Sequence, residues 1–322
     1  MKQSILFFQR ISLLLSVLLL LAGCSSSDSE EQEKGGGAQP EIRFNADVWQ
    51  VMERTRATTF DNATALQTEG TFTCYAYNHA TTTVYESVNG ATATWSSTYW
   101  SIAGRPTWPG SGNLDFFAYM PANMTNTHCT FDSAPYDEES NPDGYSENMP
   151  RIVCTTLPVN ITVGEDNTTE LIYAYVSNQN KDNAGSGVEL TFKRPFARVY
   201  FKKADGLTGV TINSVTIAGI KNNGLCTFNG TATTWTPSGD PTNLVVTGSP
   251  ATGDTPYLVL PQVLGSKTIT VNASWTSWGS ATTNVSTTLN LDSWEAGHSY
   301  TYTFTLKDEA LIVDVEKFTE QW

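Results

Sequence analysis

Apolar and polar residues alternate from Glu41 onward: Ile42, Phe44, Ala46 and Val48 occupy every second position, with Arg43, Asn45 and Asp47 between them. A period of two predicts a strand that buries one face. The next stretch, Met52 to Thr59, breaks the alternation and sets Arg54 and Arg56 in a polar connection that a trypsin-like protease could reach. Cutting the Arg56-Ala57 bond would leave the first strand held by contacts alone. Farther on, Phe72, Cys74 and Ala76 alternate with Tyr75 and Tyr77, and Leu114 to Met120 is apolar on both faces, as a central strand of a sandwich should be. Trp95, Trp100 and Trp108 are spaced as core residues rather than as a sugar-stacking platform. Strand character resumes at Leu171 to Val176. After a polar stretch from Ser177 to Gly187 it returns at Val188, Leu190 and Phe192, and again at Ala197 to Phe201, Val210 to Ile217, Tyr257 to Leu260, Ile269 to Val271 and Tyr300 to Phe304. The last alternation places Leu311, Val313 and Val315 between Ile312, Asp314 and Glu316.

Short strands punctuated by Gly, Asn and Pro, with no long segment of helical period, predict an all-β fold. Roughly 280 residues follow the N-terminal region, enough for two antiparallel β-sandwich domains. The expected boundaries are residues 41–180 for the first, with a removable first strand at 41–56, and 181–322 for the second, with its last strand at 311–318.

Ahead of these lies a segment of a different kind. A basic start at Lys2 and Arg10, an apolar run from Ile11 to Leu21, and Ala22-Gly23-Cys24 read as a signal peptide over residues 1–23. Leu21-Ala22-Gly23-Cys24 resembles the bacterial lipobox, which implies acylation of Cys24 and a palmitate-bearing anchor in the outer membrane. Residues 24–40 read as an acidic tether, and Asp28-Ser29-Glu30-Glu31 resembles the signal that carries Bacteroidetes lipoproteins to the cell surface.

Formal charge is −14, and removing everything through Arg56, six basic and seven acidic residues, changes it only to −13. Such a chain disfavours nucleic acid and anionic membrane as partners. Besides Cys24 there are Cys74, Cys129, Cys154 and Cys226, and spacing does not choose among their pairings. Cys129 and Cys154 flank one loop-rich insertion and form the preferred pair; the alternative is that some are buried free thiols, Cys74 above all, since it lies in a strand. The acidic stretch Asp132 to Asn148 fails as a calcium loop because Pro142 stands where glycine is needed. His79, His128 and His298 share no metal-ligand spacing, and no nucleophile elbow, phosphate loop or dinucleotide fingerprint occurs. No catalytic residue, metal or cofactor is expected.

Several motifs occur in a telling order: Thr55-Arg56-Ala57-Thr58 after the opening strand, Leu114-Asp115-Phe116-Phe117-Ala118-Tyr119 before a proline, Leu171-Ile172-Tyr173-Ala174 before Val188-Glu189-Leu190-Thr191-Phe192-Lys193, Leu260-Pro261-Gln262, and Trp294-Glu295-Ala296-Gly297-His298-Ser299-Tyr300-Thr301-Tyr302. Together they resemble the fimbrillin family of Bacteroidetes. That resemblance implies two transthyretin-like sandwiches and a lipoprotein precursor that is cut by an arginine-specific protease at Arg56-Ala57 and built into a type V pilus at the cell surface. Other subunits would then be partners by strand exchange: Ile42, Phe44, Ala46 and Val48 vacate a groove that Leu311, Val313 and Val315 of a neighbour fill. An adhesive subunit would add a host or glycan ligand. The competing reading is a static surface lipoprotein that binds glycans or host ligands without polymerising, and the fate of the Arg56-Ala57 bond separates the two.

Overall fold

The computed structural model describes residues 39–48, 62–78, 83–124, 127–132, 151–163, 170–229, 232–253, 255–275, 282–288, 291–307 and 310–318, and these form one compact unit that is almost wholly β. One α-helix, Ala63–Glu69, is set by its ends: the Asn62 side chain accepts from Ala65 N at 3.0 Å, and Gly70 at φ 77° stops it in the left-handed region. Its Leu66 is fully buried.

The first sheet runs in the spatial order Ile172–Gln179, Leu114–Met120, Thr71–Asn78, Ala91–Trp95, Trp100–Ile102, Arg43–Val48, Val188–Phe192, with the short Thr83–Val84 strand beside Thr71–Asn78. Its two ends meet. Tyr173 and Lys193 exchange backbone hydrogen bonds of 2.9 and 2.7 Å, so the sheet curls around a core that includes Phe44, Phe72, Trp100, Trp108, Phe116 and Phe192. Leu114–Met120 is buried at all seven positions. Leu114, Phe116, Ala118 and Met120 enter that core, while Phe117 and Tyr119 pack on the other side, which is why the strand is apolar on both faces. The tryptophans read as core residues are buried at 100 and 108 and half-buried at 95.

A second core lies between two further sheets. One has the order Tyr257–Val259, Ala197–Lys203, Ser299–Lys307, Ala310–Phe318; the other runs Thr282–Thr288, Thr268–Trp275, Val210–Ile220, Thr242–Thr247, Asn160–Thr162. Two of the segments singled out in the sequence, Leu260-Pro261-Gln262 and the one that opens at Trp294, act here as clamps. Gln262 accepts from Lys221 N at 2.8 Å and donates to Lys221 O at 2.9 Å, while Trp294 Nε1 donates to Tyr302 Oη at 2.9 Å and Glu295 N donates to Tyr300 Oη at 2.9 Å. Each satisfies a polar group in a buried setting, where an unpaired one is costly.

The chain does not keep its halves apart at residue 180. Val188–Phe192, expected to open the second half, pairs with Arg43–Val48 and buries Val188, Leu190 and Phe192 in the first core, while Ile161 is buried in the second. The physical reason is alternation itself: a strand with one apolar face can serve either core, and strand pairing decides which. A four-stranded sheet, Ala232–Ser238, Asn223–Asn229, Arg151–Cys154, Cys129–Asp132, draws on both parts of the sequence and shares a third apolar cluster with Tyr173, Phe196 and Leu260. Cys129 and Cys154 stand directly opposite each other there and form a disulfide, with Cα atoms 4.1 Å apart; Cys74 and Cys226 are buried free thiols.

Candidate functional site

The opening strand Arg43–Val48 is an interior member of its sheet. On one side it pairs antiparallel with Trp100–Ile102 through Arg43 and Phe44; on the other it pairs parallel with Val188–Phe192 from Phe44 opposite Val188 to Val48 opposite Phe192. Just ahead of it, Ile42 N donates to Pro106 O at 2.8 Å and Trp108 N to Pro40 O at 3.0 Å. Its alternation is realised: Ile42 and Phe44 are fully buried, Val48 is 2 % exposed, and Ala46 is half-buried against the same core. Phe44 sits edge-on to Phe72 and Phe116, with centroids 5.7 and 5.4 Å away. Each of the three buried side chains gains about 1.5–3 kcal/mol from burial.

The polar face of the strand is held as well. Asn45 Nδ2 donates to Glu189 Oε1 at 2.7 Å, Arg43 pairs with Glu41 at 3.0 Å, and the Arg43 guanidinium lies 4.2 Å from the centre of the Tyr99 ring. Gly187 lets the next strand approach this closely. A Cβ there would come within 3.3 Å of Arg43 O and Phe44 C. Sequence reasoning identified the opening strand but neither of its neighbours, and the only signal for Val188–Phe192 was an alternation shared with many other strands.

The chain leaves this slot at Val48 and is described again from Asn62. Arg54, Arg56 and Ala57 fall between, outside the described residues, as does Cys24. At the other end, Ala310–Phe318 pairs antiparallel with Ser299–Lys307 through nine registered positions, placing Leu311 opposite Leu306, Val313 opposite Phe304 and Val315 opposite Tyr302. It is the edge strand of its own sheet and pairs with no second strand among the described residues. The vacating and filling segments expected from the sequence are therefore paired in different sheets of the same chain.

A buried charged group was missed by sequence reasoning. Glu170 accepts from Arg194 Nε and Arg198 Nη2, and all three side chains are at least nine-tenths buried. Burial alone would lower the affinity of the Arg198 guanidinium for its proton, but Glu170 and Tyr200 together outweigh that and hold it firmly charged. Among the described residues no three His, Cys, Asp or Glu converge as a metal site, and the His298 ring lies against its own turn, at Ala296 O and Glu295.

Compared with known proteins, residues 55–322 match a family profile described as fimbrillin-like. The fold is similar to that of a fimbrial protein from Bacteroides vulgatus ATCC 8482, with a TM-score of 0.55 at 13% identity, covering 86% of this chain and 99% of that one. It is also similar to a candidate cell adhesion protein from Bacteroides uniformis ATCC 8492, with a TM-score of 0.52 at 14% identity, covering 88% and 99% of the two chains. No curated protein matches the chain.

Proposed function

The chain belongs to the fimbrillin-like family, and on that footing we propose that it is a structural or adhesive pilus subunit of the cell surface. In this reading the two large cores are two sandwich units, the precursor is anchored through an acylated Cys24, and cleavage at Arg56-Ala57 frees the opening strand. The observation that carries the reading is the placement of that strand: an interior strand with Ile42, Phe44 and Val48 in the core, leaving at Val48 toward the arginine-bearing connection. Expelling it opens an apolar groove bordered by unpaired backbone groups on Trp100–Ile102 and Val188–Phe192. Strand addition by a neighbour refills it, and the alternating Leu311, Val313 and Val315 have the period to do so. Until cleavage the opening strand is a plug against assembly.

The test is the N-terminal residue of protein recovered from the cell surface. Ala57 is expected, and Arg54→Ala with Arg56→Ala should leave the lipid attached and block polymers. A native surface protein beginning at Cys24 would favour the static binder instead. Cys24→Ala should abolish labelling with palmitate. Deleting Leu311 to Trp322 should give folded monomers that no longer polymerise after treatment with an arginine-specific protease; polymers of unchanged length would exclude donation by this segment.

A further inference from the structure

Edge strands expose a row of unpaired backbone groups, and proteins protect them by shortness, charge or proline. Most edges of this molecule obey that rule. Asn160–Thr162 and Tyr257–Val259 are three residues long, Cys129–Asp132 is four and carries Asp132, Ala232–Ser238 carries Pro237, and Ala310–Phe318 carries Asp314, Glu316 and Lys317. Ile172–Gln179 also lacks charge and proline, but it is bridged to the other end of its own sheet through Tyr173 and Lys193. Thr282–Thr288 has no such bridge among the described residues: seven residues, Thr-Thr-Asn-Val-Ser-Thr-Thr, with neither charge nor proline. The other four strands of its sheet also lack Asp, Glu, Lys and Arg, in a chain of net charge −14.

A relay of amides runs toward this edge. Asn213 Nδ2 donates to Asn272 Oδ1 at 2.9 Å, and Asn272 Nδ2 donates to Asn284 Oδ1 at 2.7 Å. Beside it the Thr270 and Ser286 hydroxyls are 2.8 Å apart. Asn284 is exposed, and with its oxygen engaged, its Nδ2 donors are what the relay offers to a further strand.

We propose that this edge joins the same edge of a second copy of the chain, antiparallel about a twofold axis through Val285. In that register Thr282 stands opposite Thr288 of the second copy, Thr283 opposite Thr287, Asn284 opposite Ser286, and Val285 opposite itself. The segment is thus its own complement, and Asn284 gains the Ser286 hydroxyl of the second copy as acceptor, twice by symmetry. Cross-strand hydroxyl and amide pairs of this kind are favourable, whereas like charges placed opposite are not. Two copies of so acidic a chain repel one another. An uncharged strand is the place where they approach at least electrostatic cost, which selects a second copy as occupant. The contact is isologous and closes as a pair. The pairing itself uses neither the opening strand nor the closing strand.

The experiment is sedimentation velocity of the full chain carrying Arg54→Ala and Arg56→Ala, which removes exchange polymers from the measurement. A reversible dimer is expected, strengthened by added salt as repulsion is screened. Adding Ser286→Lys should weaken it at least tenfold, while Asn160→Lys, on the opposite edge of the same sheet, should leave it unchanged. A monomer at every concentration, or a Ser286→Lys chain that dimerises as well as its parent, overturns the proposal. Should Ser286→Lys fail to fold by circular dichroism, Val285→Cys decides: symmetric pairing brings the two thiols within bonding range and yields a disulfide-linked dimer on mild oxidation, and absence of that dimer rejects the register.

Discussion

Phe44 meets Phe116 edge to face, with ring centroids 5.4 Å apart and planes at 86°. The contact joins the opening strand to the most deeply buried strand of the first sheet, Leu114–Met120. It makes the first strand part of the core rather than a cover laid over it.

Truncating Phe44 therefore tests how firmly the opening strand is held. Phe44→Ala should cost about 3–5 kcal/mol, the usual range for deleting a fully buried aromatic ring. Urea denaturation of the uncleaved chain reads this directly as a lowered midpoint at constant m. A loss under about 1 kcal/mol would mean that the strand is not integral to the core.

The Glu170 group is a test of how much a buried ion cluster contributes. Glu170→Gln removes the carboxylate that both Arg194 and Arg198 donate to, and removing one partner of a buried ion pair costs about 3–5 kcal/mol. The predicted signature is destabilisation of the whole chain at neutral pH, followed by thermal denaturation. An unchanged Tm would show that solvent reaches these groups.

The disulfide closes a loop of 25 residues in sequence separation. On chain entropy alone it contributes roughly 3–4 kcal/mol. Cys129→Ser with Cys154→Ser should lower the denaturation midpoint by that much, and reductant should then have no further effect. Cys74 and Cys226 offer no substitute pair, because both are buried in different apolar clusters and burial pushes both thiols well up.

Buried and half-buried tyrosines predict alkaline lability. Burial pushes Tyr75, Tyr257 and Tyr300 up to about 12, and raises Tyr302 further. Because the folded values exceed the unfolded value near 10, the unfolded chain releases protons first and stability falls as pH rises. Stability should be unaffected by these groups below about pH 10 and decline from there toward about 12. Tyr300→Phe should flatten that decline in denaturation series taken at stepped pH, and an identical slope would assign the lability elsewhere.

Much of this protein was legible from periodicity. The buried face of Arg43–Val48, the doubly apolar Leu114–Met120 and the all-β class each follow from residues within one segment, since alternation on a pleated backbone assigns side chains to faces without reference to anything distant. The match of motif order to the fimbrillin-like family is likewise a property of the linear chain. Neighbours are a different matter. That Val48 lies opposite Phe192, that Glu170 gathers Arg194 and Arg198, and that Thr282–Thr288 is left at an edge are outcomes of strand pairing in the folded chain. An alternating strand specifies which face it buries but carries no label for its partner. The partner is chosen by which arrangement of all the strands closes both cores at once, and that choice exists only in the folded chain.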